Sequence, residues 1–261
     1  MPSATRFMLI KDPKQIETLR TSGQILAATL DLVAKKAVPG ASAFDLDQLA
    51  EQEIRKAGGV PAFKNYRSQP GDPPFPATLC VSVNDEVVHG IPTKDKILKD
   101  GDIVGLDLGV QYQGLFTDAA RTVVVGKADA VSYKLIEAAE TSLEKAIQII
   151  APGKFTGDIG AMIESTVKKY GFSVVRELVG HGVGLAVHED PEIPCFGKPG
   201  TGTKLVEGMV IAVEPMVNAG DWKVIFSEDK WTIKTLDQSR SAHAEHTLLI
   251  TQHGCEVLTQ A

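Results

Sequence analysis

The sequence predicts an α+β fold in which helices pack on a curved, mainly antiparallel sheet, laid out twice as a pseudo-two-fold repeat. Three matched spacings predict it. Pro39 precedes Asp45 by six residues, as Pro152 precedes Asp158. Pro39 precedes Gly58 by nineteen, as Pro152 precedes Gly171. Gly101 precedes Asp107 by six through an apolar stretch, as Gly208 precedes Glu214. One shared offset would carry little weight; three argue for an internal repeat, roughly 12–125 and 130–251. Each half then holds two helices followed by antiparallel strands. No Ser/Gly-rich linker separates the halves and their acids must converge, so residues 1–261 are read as a single domain.

The first helix starts at Asp12-Pro13, a capping side chain followed by proline at the first helical position. Ile16, Leu19, Gly23, Leu26, Leu30, Val33 and Ala37 then share one face, and Val38-Pro39-Gly40 stops the helix. A second helix is expected from Asp45 to Ala57, with Asp45 as cap, Leu46, Leu49 and Ile54 inward, and Gly58-Gly59 as terminator. The stretch SQPGDPPFP, residues 68–76, reads as a surface loop. An apolar strand then reaches Asp107, and a turn near Gln111–Gly114 returns the chain to Asp118. Folded symmetrically about Tyr112-Gln113, that hairpin would set the two aspartates face to face, with Cβ atoms about 4.5–5.5 Å apart. The second half opens with a helix from about Ala130 to Ile150, stopped by Ala151-Pro152-Gly153. Its later strands carry Glu214, biased to extended backbone by Pro215, and Glu245.

Composition excludes several function classes. At 43% hydrophobic and 23% charged residues, the chain reads as an ordinary soluble globular protein. A net charge of −6, with no Lys/Arg run longer than two, disfavours nucleic acid and anionic membrane as partners. Lys94, Lys96 and Lys99 alternate with Asp95 and Asp100 and read as a solvated loop. Cys80, Cys195 and Cys255 are odd in number and form no CxxC pair, against a disulfide framework or a thiolate zinc site. No apolar run approaches a membrane span and the N-terminus lacks a signal-type apolar core, so the expected location is cytoplasmic.

Seven residues carry the chemistry: His89, Asp107, Asp118, His181, His188, Glu214 and Glu245. Asp107 lies in IVGLDLGV, Glu214 in MVIAVEPMV and Glu245 in AEHTLLI, and carboxylates are costly to bury in such surroundings without a partner. Divalent cations would neutralise them. Asp118, in TDAART, has a second option in Arg121. Two histidines seven apart in a glycine-rich strand, His181 in GHGVG and His188 in HEDP, suit ligation, because the glycines permit close approach. Four carboxylates with one imidazole favour Mn, Fe, Co or Zn over Ca. His246 alternates to the face opposite Glu245, and His243 and His253 read as surface residues.

The motifs VVHGIP, GDIVGLDLG, TDAART, GHGVGLAVHEDPEIP, VEPMVNAG and AEHTLLIT, in this order over nearly the whole chain, resemble those of the type I methionine aminopeptidases. That resemblance implies the pita-bread (creatinase/aminopeptidase) fold. It implies two divalent metal ions (Mn, Fe, Co or Zn) held by Asp107, Asp118, His181, Glu214 and Glu245, with Asp118 and Glu245 bridging. The implied activity is removal of the initiator methionine from nascent proteins and peptides whose second residue is small. Metal-activated hydroxide would attack the methionine carbonyl, the free α-amine would bind one metal, and Glu214 would shuttle the proton. His188 would donate to the developing oxyanion and His89 would contact the scissile amide. By motif position the methionine pocket comprises Tyr66, Phe75, Cys80, Val187 and Trp231. The implied partners are nascent N-termini, with no direct nucleic-acid or membrane contact, and the implied state is a monomer. The segment from Tyr66 to Phe75 is longer than the family pattern by an SQPGDP-like piece, and no zinc-finger or SH3-binding extension precedes the first helix. The chain's own Met1-Pro2 satisfies the small-second-residue rule. A prolidase or aminopeptidase P relative of the same fold is the alternative, although those carry an added N-terminal domain. A non-catalytic binding module would be expected to have lost ligands, and all five are present.

Overall fold

The computed structural model describes residues 9–260. Met1-Pro2 lies outside them. Helix α1 (Pro13–Lys36) begins where Asp12 Oδ1 accepts the Lys14 N–H at 3.0 Å, so the expected cap and first-position proline are both in place. Its buried face, including Leu26, Leu30 and Val33, packs on the long hairpin Ile103–Tyr112 and Leu115–Val124. Helix α2 (Ala43–Lys56) starts earlier than expected. Ser42 holds the cap position and Asp45 sits in the first turn, where its charge favours the positive end of the helix dipole.

In the second half, α3 (Ala130–Ile149) is capped by Asp129 and pairs with α4 (Thr156–Tyr170). Asp158 takes the same third helical position in α4 that Asp45 takes in α2, and there its Oδ2 accepts the Phe155 N–H at 2.8 Å. Gly171, with φ 83°, ends α4 in the left-handed conformation that glycine adopts without a Cβ penalty. Each helix pair has its own core, one around Leu26, Ile54 and Leu106, the other around Leu135, Ile159 and Ile211.

The long hairpin differs from the expected register. Tyr112 pairs with Leu115, so the turn is Gln113-Gly114, with φ 48° and 87°. Two positive φ angles suit a two-residue hairpin turn because its twist matches that of the strands. Asp107 therefore faces Ala120 and Asp118 faces Gly109. The aspartates share a face but are diagonal neighbours, not opposed. Diagonal positions leave about 7–8 Å between backbones, room enough for groups to lie between the carboxylates.

Among the described residues all strand pairings are antiparallel, but they fall into four hydrogen-bonded sheets instead of one continuous sheet. The Ile103–Tyr112 strand lies between Leu79–Val83 and its own hairpin partner. In the other half, His246–Ile250 pairs with Val210–Val213, which pairs with Gly180–Gly182. The two sheets are stitched along the Leu115–Val124 arm of the hairpin. Glu245 N–H donates to Ala120 O at 2.9 Å. Thr247 Oγ1 accepts the Asp118 N–H at 2.8 Å and donates to Asp118 O at 2.7 Å. One hydroxyl thus replaces both groups of a ladder partner, which is why the ladder is interrupted there. No helix of the described residues is long and apolar enough to cross a membrane.

Candidate metal centre and substrate cavity

Strand alternation places Leu106 and Leu108 under the helices and turns Asp107 to the opposite face, where the halves meet. Asp118 reaches the same place from the second hairpin arm. Glu214 follows Val210–Val213 directly, and Glu245 directly precedes His246–Ile250. His181 comes from the Gly180–Gly182 strand, opposite Ala212. Its flanking glycines are required by close backbone approach: a Cβ on Gly180 would lie 2.4 Å from Ala212 O, and one on Gly182 2.2 Å from Asp190 O.

These side chains form three overlapping groups: Asp107, Asp118 and Glu245; His181, Glu214 and Glu245; Asp118, His181 and His188. Within each group, one potential ligand atom per residue lies within 4.8 Å of the others. His181 Nε2 stands 3.4 Å from Glu214 Oε1 and 3.9 Å from Asp118 Oδ2. Arg121, the other expected partner for Asp118, turns to the opposite strand face and pairs with Asp31.

Unbalanced negative charge governs this cluster. Burial raises the Asp107 pKa to about 7. Burial, reinforced by repulsion from neighbouring acids, holds Asp118, Glu214 and Glu245 well above the carboxylate range. Asp107 Oδ1, Asp118 Oδ1 and Glu245 Oε1 are buried without a hydrogen-bond partner. Buried polar atoms are normally partnered, and cations would supply what these oxygens lack. The His181 Nδ1 lies 2.9 Å from Gly182 O. A carbonyl only accepts, so Nδ1 carries the proton and Nε2 presents its lone pair to the acids, the ligating form. Burial lowers the His181 pKa to about 3, which keeps the ring neutral. The residues therefore fit divalent metal by donor type, by tautomer and by their bare oxygens.

A cavity of about 520 Å³ opens onto this cluster. Phe63, Tyr66, Phe75, Cys80 and Trp231 line it with the acids, His89 and His188. Phe75 and Trp231 meet edge to face at 5.3 Å. Tyr66 and Phe75 are adjacent at the two ends of the intervening loop. Phe75 N–H donates to Tyr66 O, and Asn65 N–H to Phe75 O, both at 2.8 Å, which closes the loop at its base. Val187 joins the apolar cluster behind these walls but does not line the cavity. Burial pushes the Cys80 thiol well above its ordinary range, with Asp107 adding to the shift, so it stays protonated.

The other five histidines differ in their surroundings. His188 Nδ1 is 2.7 Å from the Tyr66 hydroxyl. Burial raises the tyrosine pKa, so the phenol keeps its proton, and where it donates that proton to Nδ1 the His188 proton sits on Nε2. His89 stands at φ 57°, its ring 6.1 Å from Trp231, and burial lowers its pKa to about 4. His243 corrects the surface expectation: it is 3% exposed, with Nε2 3.8 Å from Glu214 Oε2 and 3.9 Å from Glu245 Oε2. The alternation that turns His246 away, toward Thr259 Oγ1, puts a residue two before Glu245 on the acid's own face, and that signal was in the sequence. Phe63 and Met216 also line the cavity without having been singled out. His253 is exposed, as expected.

A model of metallopeptidase family M24 matches residues 17–252. A methionine aminopeptidase of Mycoplasma capricolum subsp. capricolum is 45% identical over 252 residues, covering 96% of this chain and 98% of the relative. The crystal structure of methionine aminopeptidase from Thermotoga maritima superposes with a TM-score of 0.93 at 48% identity, covering 97% of this chain and 100% of that one. A prolidase from Pyrococcus furiosus superposes at 0.77 and 24% identity, with 97% of this chain but 66% of the prolidase covered, and shows the shared fold alone. The chain belongs to metallopeptidase family M24, with the pita-bread fold, and within it to the methionine aminopeptidases.

Proposed function

We propose that this chain removes the N-terminal methionine from peptides and nascent proteins whose second residue is small, as a single catalytic domain working as a cytoplasmic monomer. The observation that carries this reading is a floor of buried, partnerless carboxylate oxygens beneath a cavity walled by Phe63, Tyr66, Phe75 and Trp231. Burying a methionine side chain against such walls contributes about 1.5–3 kcal/mol. Asp107, Asp118, His181, Glu214 and Glu245 would hold two divalent ions, Mn, Fe, Co or Zn. Bound there, such a pair supplies Lewis acidity toward a carbonyl oxygen and hydroxide from water near neutral pH.

The chain's own groups do the rest. Glu214 accepts a proton from water at its carboxylate and returns it to the leaving amine. His188, protonated at Nε2 because Tyr66 occupies Nδ1, donates to the substrate carbonyl oxygen as negative charge develops. His89 reaches the scissile amide nitrogen from beside Trp231. The aromatic walls exclude water from the side-chain end of the cavity.

Release of methionine from Met-Ala-Ser should vanish after chelation and return when Mn, Fe, Co or Zn is added singly. Robust cleavage of Xaa-Pro dipeptides with no methionine release would overturn this reading in favour of a prolidase-like activity.

A further inference from the structure

We propose that His243 is a positioning residue of the metal centre, its imidazole donating Nε2–H to the Glu214 and Glu245 carboxylates from behind. The proposal rests on the ligand assignment above. Its observations are separate. His243 does not line the cavity, so it has no access to substrate there. Its Nε2 is buried, lacks any hydrogen-bond partner, and stands almost equidistant from the Oε2 atoms of both glutamates. The two glutamates divide their oxygens in the same way. Glu214 turns Oε1 toward His181 and Oε2 toward His243. Glu245 turns Oε2 toward His243 and leaves Oε1 bare.

The backbone holds His243 in this place. The Ser241–His243 strand pairs with Met216–Asn218 so that His243 faces Met216, two residues beyond Glu214. His243 N–H donates to Thr122 Oγ1 at 2.8 Å, and the same hydroxyl donates to His243 O at 2.9 Å. One imidazole is thereby fixed between two acids that arrive from different strands. At 3.8 and 3.9 Å it stands just outside hydrogen-bond range. A carboxylate acceptor draws an N–H donor closer than a neutral acceptor does, because charge-assisted bonds are shorter than neutral ones. An outer partner of this kind fixes the orientation of a ligand, and its loss typically costs about 10–100-fold in metal affinity.

The test compares chelator-stripped unmutated protein, His243→Gln and His243→Leu by calorimetric titration with Mn²⁺, alongside the melting temperature of each metal-free protein. The leucine variant should bind the metal about ten- to a hundredfold more weakly. Its metal-free melting temperature should hold or rise, since the substitution removes a buried polar atom that has no partner. The glutamine variant, which retains an N–H donor, should stay within a few-fold of the unmutated chain. Nitrogen-15 NMR of the histidine-labelled, Zn²⁺-loaded unmutated protein needs no variant to fold, and should find His243 as the Nε2–H tautomer with a slowly exchanging proton. Unchanged Mn²⁺ affinity in the leucine variant, or an Nδ1–H tautomer in the loaded protein, would overturn this proposal alone. Absence of metal binding by the unmutated chain would remove the ligand assignment and this proposal with it.

Discussion

Asp107, Asp118 and Glu245 are each less than a tenth exposed, and Lys or Arg forms no ion pair with any of them or with Glu214 among the described residues. Carboxyl groups in that setting must take up either a proton or a cation, so the residues that tune the cluster matter as much as those that touch substrate. Tyr66 is one of them. It was expected as a pocket wall, and its hydroxyl also lies 2.7 Å from His188 Nδ1. His188→Ala should lower kcat by on the order of 10²–10³, the cost of losing one donor to a developing oxyanion. Tyr66→Phe keeps the ring but frees the His188 tautomer, and should lower kcat by less, with KM nearly unchanged. Steady-state kinetics on Met-Ala-Ser separates the two. A rise in KM at constant kcat for Tyr66→Phe would leave that residue as wall only.

At the level of elements, the site depends on the joint between two sheets. Thr247 satisfies both the N–H and the C=O of Asp118 with one hydroxyl. Thr247→Val preserves shape but orphans two buried backbone groups, at a cost of about 1–3 kcal/mol each. The urea midpoint of the variant should fall with the slope unchanged, and metal affinity should weaken because Asp118 loses its anchor. The loop at residues 68–74 contributes differently. Its base is closed by the Tyr66–Phe75 backbone pair, which holds the pocket's aromatic pair in register.

For the whole molecule, the acids and the histidines oppose one another in pH dependence. The cluster acids have folded pKa values raised above the unfolded ones, so the folded chain binds more protons and loses stability as pH rises. His89, His181 and His243 have folded values lowered to about 4, 3 and 3, so they add stability as pH rises, but only up to the unfolded value near 6.5. Above about pH 6.5 the acids act alone. The melting temperature of the metal-free protein should therefore decline from about pH 6.5 through the Asp107 value of about 7 and beyond. Added Mn²⁺ should reverse the decline, and its effect should grow with pH as the ligands deprotonate. A metal-free melting temperature that climbs steadily from pH 6.5 to 8.5 would contradict the charge balance described for the cluster.

Order along the chain determined the helix stops, the recurrence of a glycine, an apolar strand and an acid, and the identity of the acids that converge. Periodicity and spacing are local properties, and burial of an acid in an apolar stretch announces itself without a fold. His243 was within reach of the same reasoning by counting back two from Glu245. Tertiary structure alone decided which groups meet. The hairpin register turned on backbone twist at Gln113-Gly114, which moved Asp107 and Asp118 from opposed to diagonal. The pairing of Arg121 with Asp31, the hold of Tyr66 on His188, and the Thr247 stitch all join residues far apart in sequence. Such contacts follow from how two separately cored halves pack, and no local pattern encodes that packing.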